Sequence, residues 1–212
     1  MIIKYKALGP VETNCYVIKN PENNDALIID PSANAESIIQ LVDELDAKPV
    51  AVLLTHAHFD HIAALEDIMK HYQIDVYSHP IEHSWLKDSS KNGSNKYISF
   101  GLPEISFQSV KPIELTGGTH NIKGFNIDVR HTPGHSPGSL TFVFEQFAVV
   151  GDTLFKEGIG RTDLYQGEEN TLIKSIHEQL LTLDEDMLIY PGHGANTTVG
   201  QEMDNNPFLS GY

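Results

Sequence analysis

Thr55 to His61 reads T-H-A-H-F-D-H, which places His56, His58, Asp60 and His61 within six residues, directly after the apolar run Val50-Ala51-Val52-Leu53-Leu54. Imidazole nitrogens and carboxylate oxygens are donors that zinc and other borderline metals accept. The chain between His58 and His61 is too short to wrap one tetrahedron. The spacing therefore suggests two adjacent metals, with His56 and His58 on one and Asp60 and His61 on the other. At this chain's own His and Asp frequencies, the pattern arises by accident in roughly two such chains per thousand, which sets it apart from most short motifs.

Three further motifs put a ligand-type residue in a turn beside a strand. His135 sits in Thr132-Pro133-Gly134-His135-Ser136-Pro137-Gly138, Asp152 follows Phe147-Ala148-Val149-Val150-Gly151, and His193 lies in Pro191-Gly192-His193-Gly194. Proline fixes the backbone and glycine permits crowded conformations, so such turns can hold a side chain rigidly against an ion. Taken singly, a His or Asp in a turn is more often a structural residue; together with the T-H-A-H-F-D-H stretch the balance inverts. Asp152 can bridge, because its two oxygens can each take one metal.

The elements that must position these residues follow from periodicity. Alternation predicts strands at Ile2–Leu8, 15–18 and 26–29, a helix over 35–45, and a strand at 50–54 buried on both faces. A helix over 62–72, a strand at 74–77 and a short helix over 80–87 follow. Strands at 125–130, 139–144 and 147–150, a helix over 170–181 and a strand at 187–190 complete the pattern. Strands in two blocks flanked by helices suggest two sheets in a mixed α/β chain. Residues 88–101 are polar, carry Lys91 and Lys96, and read as a surface loop over one site.

A length of 212 residues favours one domain, 1–212. No stretch reaches the ~18 apolar residues of a membrane span. The start lacks the pattern of a secretory signal, and Cys15 is the only cysteine, so a cytoplasmic location is expected. A formal charge of −15 argues against nucleic acid as a partner. Cys15, in an apolar strand, reads as a packed core thiol. Asp30 reads equally as a turn former before Pro31 or as a carboxylate orienting a ligand histidine. His131 reads equally as structural or as a support for His135, and His71 and His177 as surface residues.

The order H-x-H-x-D-H, His135, Asp152, His193 resembles the metal motifs of the metallo-β-lactamase-fold hydrolases over essentially the whole chain. The resemblance implies an αββα sandwich, with His56, His58 and His135 on a first metal, Asp60, His61 and His193 on a second, and Asp152 bridging. Within that superfamily the chain is most similar to the short, single-domain form of glyoxalase II. The matching stretches are Gly151-Asp152-Thr153-Leu154-Phe155, 158–163, Pro191-Gly192-His193-Gly194, the tail Asn206-Pro207-Phe208-Leu209, and the opening Thr13-Asn14-Cys15-Tyr16. Long glyoxalase II enzymes carry a helical C-terminal domain that binds the glutathione moiety, whereas 19 residues follow His193 here. The thiol carrier is therefore left open.

The implied activity is hydrolysis of a small-molecule 2-hydroxyacyl thioester by hydroxide formed between two divalent metals, Zn(2+) foremost, with Fe or Mn accepted by the same donors. Asp60 is expected to orient the nucleophile while ligating. Arg161 is one of only two arginines and follows the bridging aspartate. It is expected either to grip a substrate carboxylate or to pair with Asp163. Related activities separate on details. The β-lactamases of this fold usually use a ligating cysteine, nucleases need a basic surface, and flavodiiron proteins place a glutamate where His58 stands. Persulfide dioxygenases, iron enzymes of the same fold, share the Gly160-Arg161-Thr162-Asp163 stretch. They typically carry Cys and Asp where this chain has Ile159 and Gly194. A non-enzymatic metal-binding module would leave the hydrolytic arrangement without a purpose.

Overall fold

The structure is a computed structural model and describes residues 1–209. Its first sheet is built by β1 (Ile2–Leu8), β2 (Thr13–Lys19), β3 (Asp25–Ile29), β4 (Lys48–Leu53), β5 (Asp75–Ser78) and β6 (Ile113–Glu114), hydrogen-bonded in that order. The second contains β7 (Gly118–Ile122), β8 (Phe125–His131), β9 (Leu140–Val143) and β10 (Phe147–Gly151). After the small hairpin of β11 (Leu154–Phe155) and β12 (Gly158–Ile159), β13 (Leu188–Pro191) and β14 (Thr197–Thr198) complete it in the order β14-β13-β10-β9-β8-β7. The helices are α1 (Ala35–Glu44), α2 (Phe59–Ile62), α3 (Leu65–Tyr72), α4 (Ser89–Asn92), α5 (Glu169–Ser175) and α6 (Val199–Asn205).

Alternation along the strands dictates the layering. Cys15, Val17, Ile28 and Val52 point to one face of the first sheet and pack against Ile38, Val42, Leu65 and Ile68 of α1 and α3. Their neighbours Tyr16, Ile18, Leu27, Ile29 and Leu53 point to the other face and meet Phe125, Ile127, Phe142 and Val149 of the second sheet. The outer face of that sheet, with Ala148, Val150 and Ile189, is covered by Leu172, Ile176 and Val199. This is an αββα sandwich, as expected. The period of two sorts each strand into two cores, and the sheets bury their inner faces on each other. Cys15 is fully buried in the outer core of the first sheet, and burial pushes its thiol pKa up, as suits a packed rather than a reactive thiol.

Several boundaries differ from expectation, each for a local reason. The helix expected over 62–72 is broken between α2 and α3, where Ala64 N donates to Pro31 O at 2.9 Å instead of to its own helix. Residues 80–87 form two 3-10 turns, Pro80–Glu82 and Trp85–Lys87, that turn Glu82, Trp85 and Leu86 inward. The 88–101 segment is not a structureless loop. Asp88 caps α4 by accepting from Ser90 N at 3.0 Å, and the buried Asn92 donates to Trp85 O and Ile105 O. The expected helix over 170–181 begins as α5 and continues as a π-turn over Ile176–Leu180. The strands β6, β7, β11, β12 and β14 and the helix α6 went unread in the sequence. Most are short and lack a clear apolar period.

Phe142 is fully buried and faces Val129 on one side and Val149 on the other, at the centre of the contact between the sheets. Truncation there leaves a cavity between two rigid layers. Phe142→Ala should destabilise the protein by about 3–5 kcal/mol in urea unfolding. A loss under about 1 kcal/mol would mean that the inter-sheet core can collapse around the gap.

Candidate metal centre

Five chain segments meet along one edge of the sandwich. The segment after β4 brings His56 and His58, α2 brings Asp60 and His61, and the β8–β9 connection brings His135. The ends of β10 and β13 bring Asp152 and His193. His58 Nδ1 and His56 Nε2 lie 2.9 and 3.2 Å from His135 Nε2. His61 Nε2 and His193 Nε2 lie 3.4 and 3.3 Å from Asp60 Oδ2. Asp152 stands between the groups, with Oδ1 3.3 Å from His61 Nε2 and Oδ2 3.5 Å from both His135 Nε2 and His193 Nε2. Thus the structure brings all seven sequence-identified residues into one cluster. Within it, His56, His58 and His135 form one set with the spacing to hold a metal ion and Asp60, His61 and His193 another; Asp30, His56 and His61 also converge, but the Asp30 carboxylate is taken up by His61 Nδ1 and Thr55.

The chemistry of the donors fits metals better than it fits a hydrogen-bond network. Asp30 holds His61 by its Nδ1–H at 2.8 Å, and main-chain carbonyls of Arg161 and Val11 hold His135 and His193 by theirs at 2.7 and 3.0 Å. The Thr55 hydroxyl donates to Asp30 at 2.6 Å, so its oxygen is free to accept from His56 Nδ1 at 3.0 Å. With Nδ1 protonated in these four rings, the neutral form of each turns an Nε2 lone pair into the cluster. His61 Nε2 and Asp152 Oδ1 are buried and make no well-formed hydrogen bond, although they lie 3.3 Å apart and His61 Nε2 is also 3.4 Å from Asp60 Oδ2. Converging lone pairs and orphaned buried polar atoms are costly unless a cation receives them.

Burial pushes the pKa of His56 and His58 down, that of His58 to about 3, so both rings are neutral at pH 7 and available as ligands. Burial works in the same direction on His61 and His193, but neighbouring carboxylates outweigh it. Asp60 and Asp152 raise His61, and the same two raise His193 to about 9. Burial alone would raise Asp60; His61, His193 and the Thr13 hydroxyl instead hold it down to about 2. One set is thus ready for a cation, while the other holds protons that a cation would displace.

The frame around the cluster is equally specific. Asn14 of β2 donates through Nδ2 to Pro191 O and Gly194 O, both at 3.0 Å, Tyr16 donates to Pro191 O at 2.5 Å, and Thr13 donates to Asp60 Oδ2 at 2.8 Å. The first sheet therefore clamps the His193 loop of the second. At Gly192 a Cβ would overlap the Asp152 carboxylate and crowd His61, so only glycine fits. Asp30, in a left-handed conformation at the end of β3, also accepts from Thr55 N at 2.8 Å, so of its two sequence readings the geometry gives the orienting one. His131 stacks on His79 with 4.4 Å between centroids and reaches Pro137 O at 2.8 Å, which steadies the loop that carries His135.

Sequence reasoning missed Glu82. Its carboxylate is buried and accepts from Ala57 N at 2.6 Å and Gly138 N at 2.7 Å, tying the His56–His58 loop to the His135 loop. Burial raises its pKa. No local signal in the sequence points to it, because both of its partners lie in distant loops. Arg161 lines a cavity of about 140 Å3 over the cluster together with Tyr97 and Leu164. Its guanidinium is bidentate to Asp163, with both bonds at 2.7 Å, so the expected intramolecular pair is present.

The family model of the metallo-beta-lactamase superfamily matches residues 8–193, and the chain belongs to that superfamily of generally hydrolytic metalloenzymes. The chain is 42% identical over 207 residues to a probable metallo-hydrolase, YqgX, of Bacillus subtilis, covering 97% of this chain and 96% of the relative. It is 39% identical to the hydroxyacylglutathione hydrolase GloC of Haemophilus influenzae, covering 94% and 93%. Among solved structures, the BLEG-1 B3 metallo-beta-lactamase is 42% identical with a TM-score of 0.93, covering 99% of this chain and 100% of that one. The TTHA1623 protein in a di-iron-bound form is 32% identical with a TM-score of 0.82, covering 97% and 100%. Among the described residues, no helix is long and apolar enough to cross a membrane.

Removing the Glu82 carboxylate strands two buried N–H groups. Glu82→Ala should cost about 2–5 kcal/mol in urea unfolding. Glu82→Gln, which turns an NH2 towards one of the two donors, should recover less than half of the loss. Full recovery in the Gln variant would show that side-chain volume, not the paired acceptors, is what matters there.

Proposed function

We propose that this member of the metallo-beta-lactamase superfamily is a binuclear metal thioesterase. Its substrate would be a 2-hydroxyacyl thioester such as S-lactoylglutathione, or an analogue on another low-molecular-weight thiol. The observation that carries the reading is the division of seven donors into two sets with Asp152 between them. Support for the substrate class comes from the hydroxyacylglutathione hydrolase to which the chain is similar along nearly its whole length. In this reading residues 1–212 are one domain that acts in the cytoplasm on a small molecule. His56, His58 and His135 hold one metal, Asp60, His61 and His193 the other, and Asp152 both. Zn(2+) suits the donors; Fe and Mn suit them too, and a similar protein has been solved with two irons.

Metals held there would supply Lewis acidity that lowers the pKa of water toward ~7 and stabilises charge developing on the carbonyl oxygen. The protein's part is placement. Asp60, ionised and fixed by Thr13, can accept a hydrogen bond from the attacking water and so orient its lone pair. The outer hydrogen bonds of His56, His61, His135 and His193 keep the ring planes from turning. In the net reaction the water oxygen bonds to the acyl carbon, the C–S bond breaks, and the thiol leaves with its proton restored. A thiol of pKa ~8.5 departs readily as thiolate, so no strong general acid is required. Arg161 would recognise the carboxylate of the thiol carrier. Its pair with Asp163 is largely exposed, at 59% and 67%, so exchanging that partner for a substrate carboxylate costs little.

A lactam-hydrolysing reading has one observation in its favour, the similarity to BLEG-1. An oxygen-consuming reading has in its favour the Gly160–Asp163 stretch and the similar protein solved with two irons. One set of assays separates the three. The metal-loaded protein should carry close to two ions per chain by native mass spectrometry and release free thiol from S-lactoylglutathione. It should hydrolyse a chromogenic cephalosporin far more slowly, and consume no oxygen with glutathione persulfide. Persulfide-dependent oxygen uptake, or lactam turnover exceeding thioester turnover, would replace the proposal. Arg161→Ala should lower kcat/KM for the carboxylate-bearing thioester by roughly ten- to a hundredfold, mostly through KM, with metal content unchanged. Loss of metal in that variant would mark Arg161 as structural.

A further inference from the structure

The cavity over the cluster is not the largest near it. A second cavity, of about 600 Å3, lies between the β1–β2 turn, the start of α1, α2, α3 and the 102–105 segment. The two share Val11, Phe59 and Asp60 as lining residues, so they adjoin beside the cluster. Its walls are mainly apolar, with Leu8, Ile39, Ala64, Leu102 and Pro103 among them. The charged side chains on it are the carboxylates of Glu36, Asp60 and Asp67, and no Lys or Arg is among its described lining residues.

The other cavities beside the cluster are lined differently. Arg161 lines the cavity over the cluster, and Lys91 and Lys96 line a small neighbouring one that shares His58, Phe59, Asp60, Tyr97 and Leu164 with it; Arg161 and Lys91 are paired with Asp163 and Asp88, both solvent-accessible partners that a substrate carboxylate can replace. A substrate whose reacting carbonyl lies at the cluster thus meets cations on one side and an apolar, acid-edged space on the other. An anionic thiol carrier is attracted to the first side and repelled by the second. The acyl group must then enter the large cavity. A lactoyl group has three carbons and leaves most of 600 Å3 unfilled. Pockets of this size enclose ligands of several hundred Å3.

We infer, on the basis of the thioesterase reading above, that the large cavity is an acyl subsite and that the preferred substrates carry an extended, uncharged apolar acyl chain rather than a lactoyl group. Each methylene moved from water into such a site contributes up to about fourfold in binding. Five additional methylenes, half buried, therefore give about thirtyfold. A carboxylate at the chain end removes that gain, because it would be carried towards Glu36 and Asp67 with no Lys or Arg among the described lining residues to meet it.

The test compares three glutathione thioesters on the metal-loaded protein: S-lactoyl, S-(2-hydroxyoctanoyl), and the octanoyl compound bearing a terminal carboxylate. The 2-hydroxyoctanoyl thioester should exceed the lactoyl thioester at least thirtyfold in kcat/KM, and the carboxylate-ended chain should fall at least tenfold below the 2-hydroxyoctanoyl compound. Ala35→Trp, which fills the cavity from the first turn of α1, should reduce the octanoyl-to-lactoyl ratio at least tenfold. A ratio within threefold of one, or equal turnover of the carboxylate-ended chain, overturns the acyl subsite and leaves the thioesterase standing. If no thioester is hydrolysed, the thioesterase reading fails, and calorimetry decides the cavity separately. Free 2-hydroxyoctanoate should bind at least thirtyfold more tightly than lactate, and Ala35→Trp should abolish the difference. Equal binding of the two acids overturns the subsite.

Discussion

Neutral imidazoles forced together are the constraint on which the rest of this structure depends. Ring nitrogens of His56, His58 and His135 lie 2.9–3.2 Å apart at the closest, and the outer hydrogen bonds of His56 and His135 turn lone pairs inward. Such an arrangement is unfavourable without a cation and must be imposed by the surrounding protein. The imposition is visible residue by residue. Asp30 fixes His61 and Thr55, Thr55 fixes His56, main-chain carbonyls fix His135 and His193, and Glu82 ties two loops together. Binding energy that a metal releases on entering is thus not spent on ordering its ligands.

The sandwich explains how donors separated by 137 residues, from His56 to His193, meet with such small tolerance. Each sheet contributes strand ends to the same edge, and the inner faces lock through Tyr16, Phe142 and their neighbours. The clamp from Asn14 and Tyr16 to the Pro191-Gly192 turn crosses from one sheet to the other, so inter-sheet packing and site geometry are coupled. Gly192 shows how tight the result is: there is no room for a methyl group beside Asp152.

What could be read from the sequence divides along physical lines. The seven clustered residues announced themselves because donors of one chemical kind recur at strand ends within Pro- and Gly-bearing turns. The two strand blocks were legible because alternation is a local signal. Glu82 was not, since its role is to accept two N–H groups from loops 25 and 56 residues away, which leaves no local mark. The break between α2 and α3 was hidden for the same reason, as it depends on Pro31 O. The order in 88–101 comes from an Asp cap and one buried Asn rather than from apolar periodicity.

Charge is distributed around the cluster in a way that total charge conceals. A chain of −15 places Arg161, Lys91 and Lys96 on one flank and only carboxylates and His71 as ionisable groups on the other. That polarity gives the site a direction for its substrate, but it has meaning only if the cluster is a metal centre. Anomalous diffraction from crystals of the metal-loaded protein, recorded on either side of the metal's absorption edge, tests this most directly. The account predicts two peaks flanking Asp152, one among His56, His58 and His135 and the other among Asp60, His61 and His193. A single peak, or peaks bound elsewhere with His61 and His193 turned away from Asp152, would contradict it.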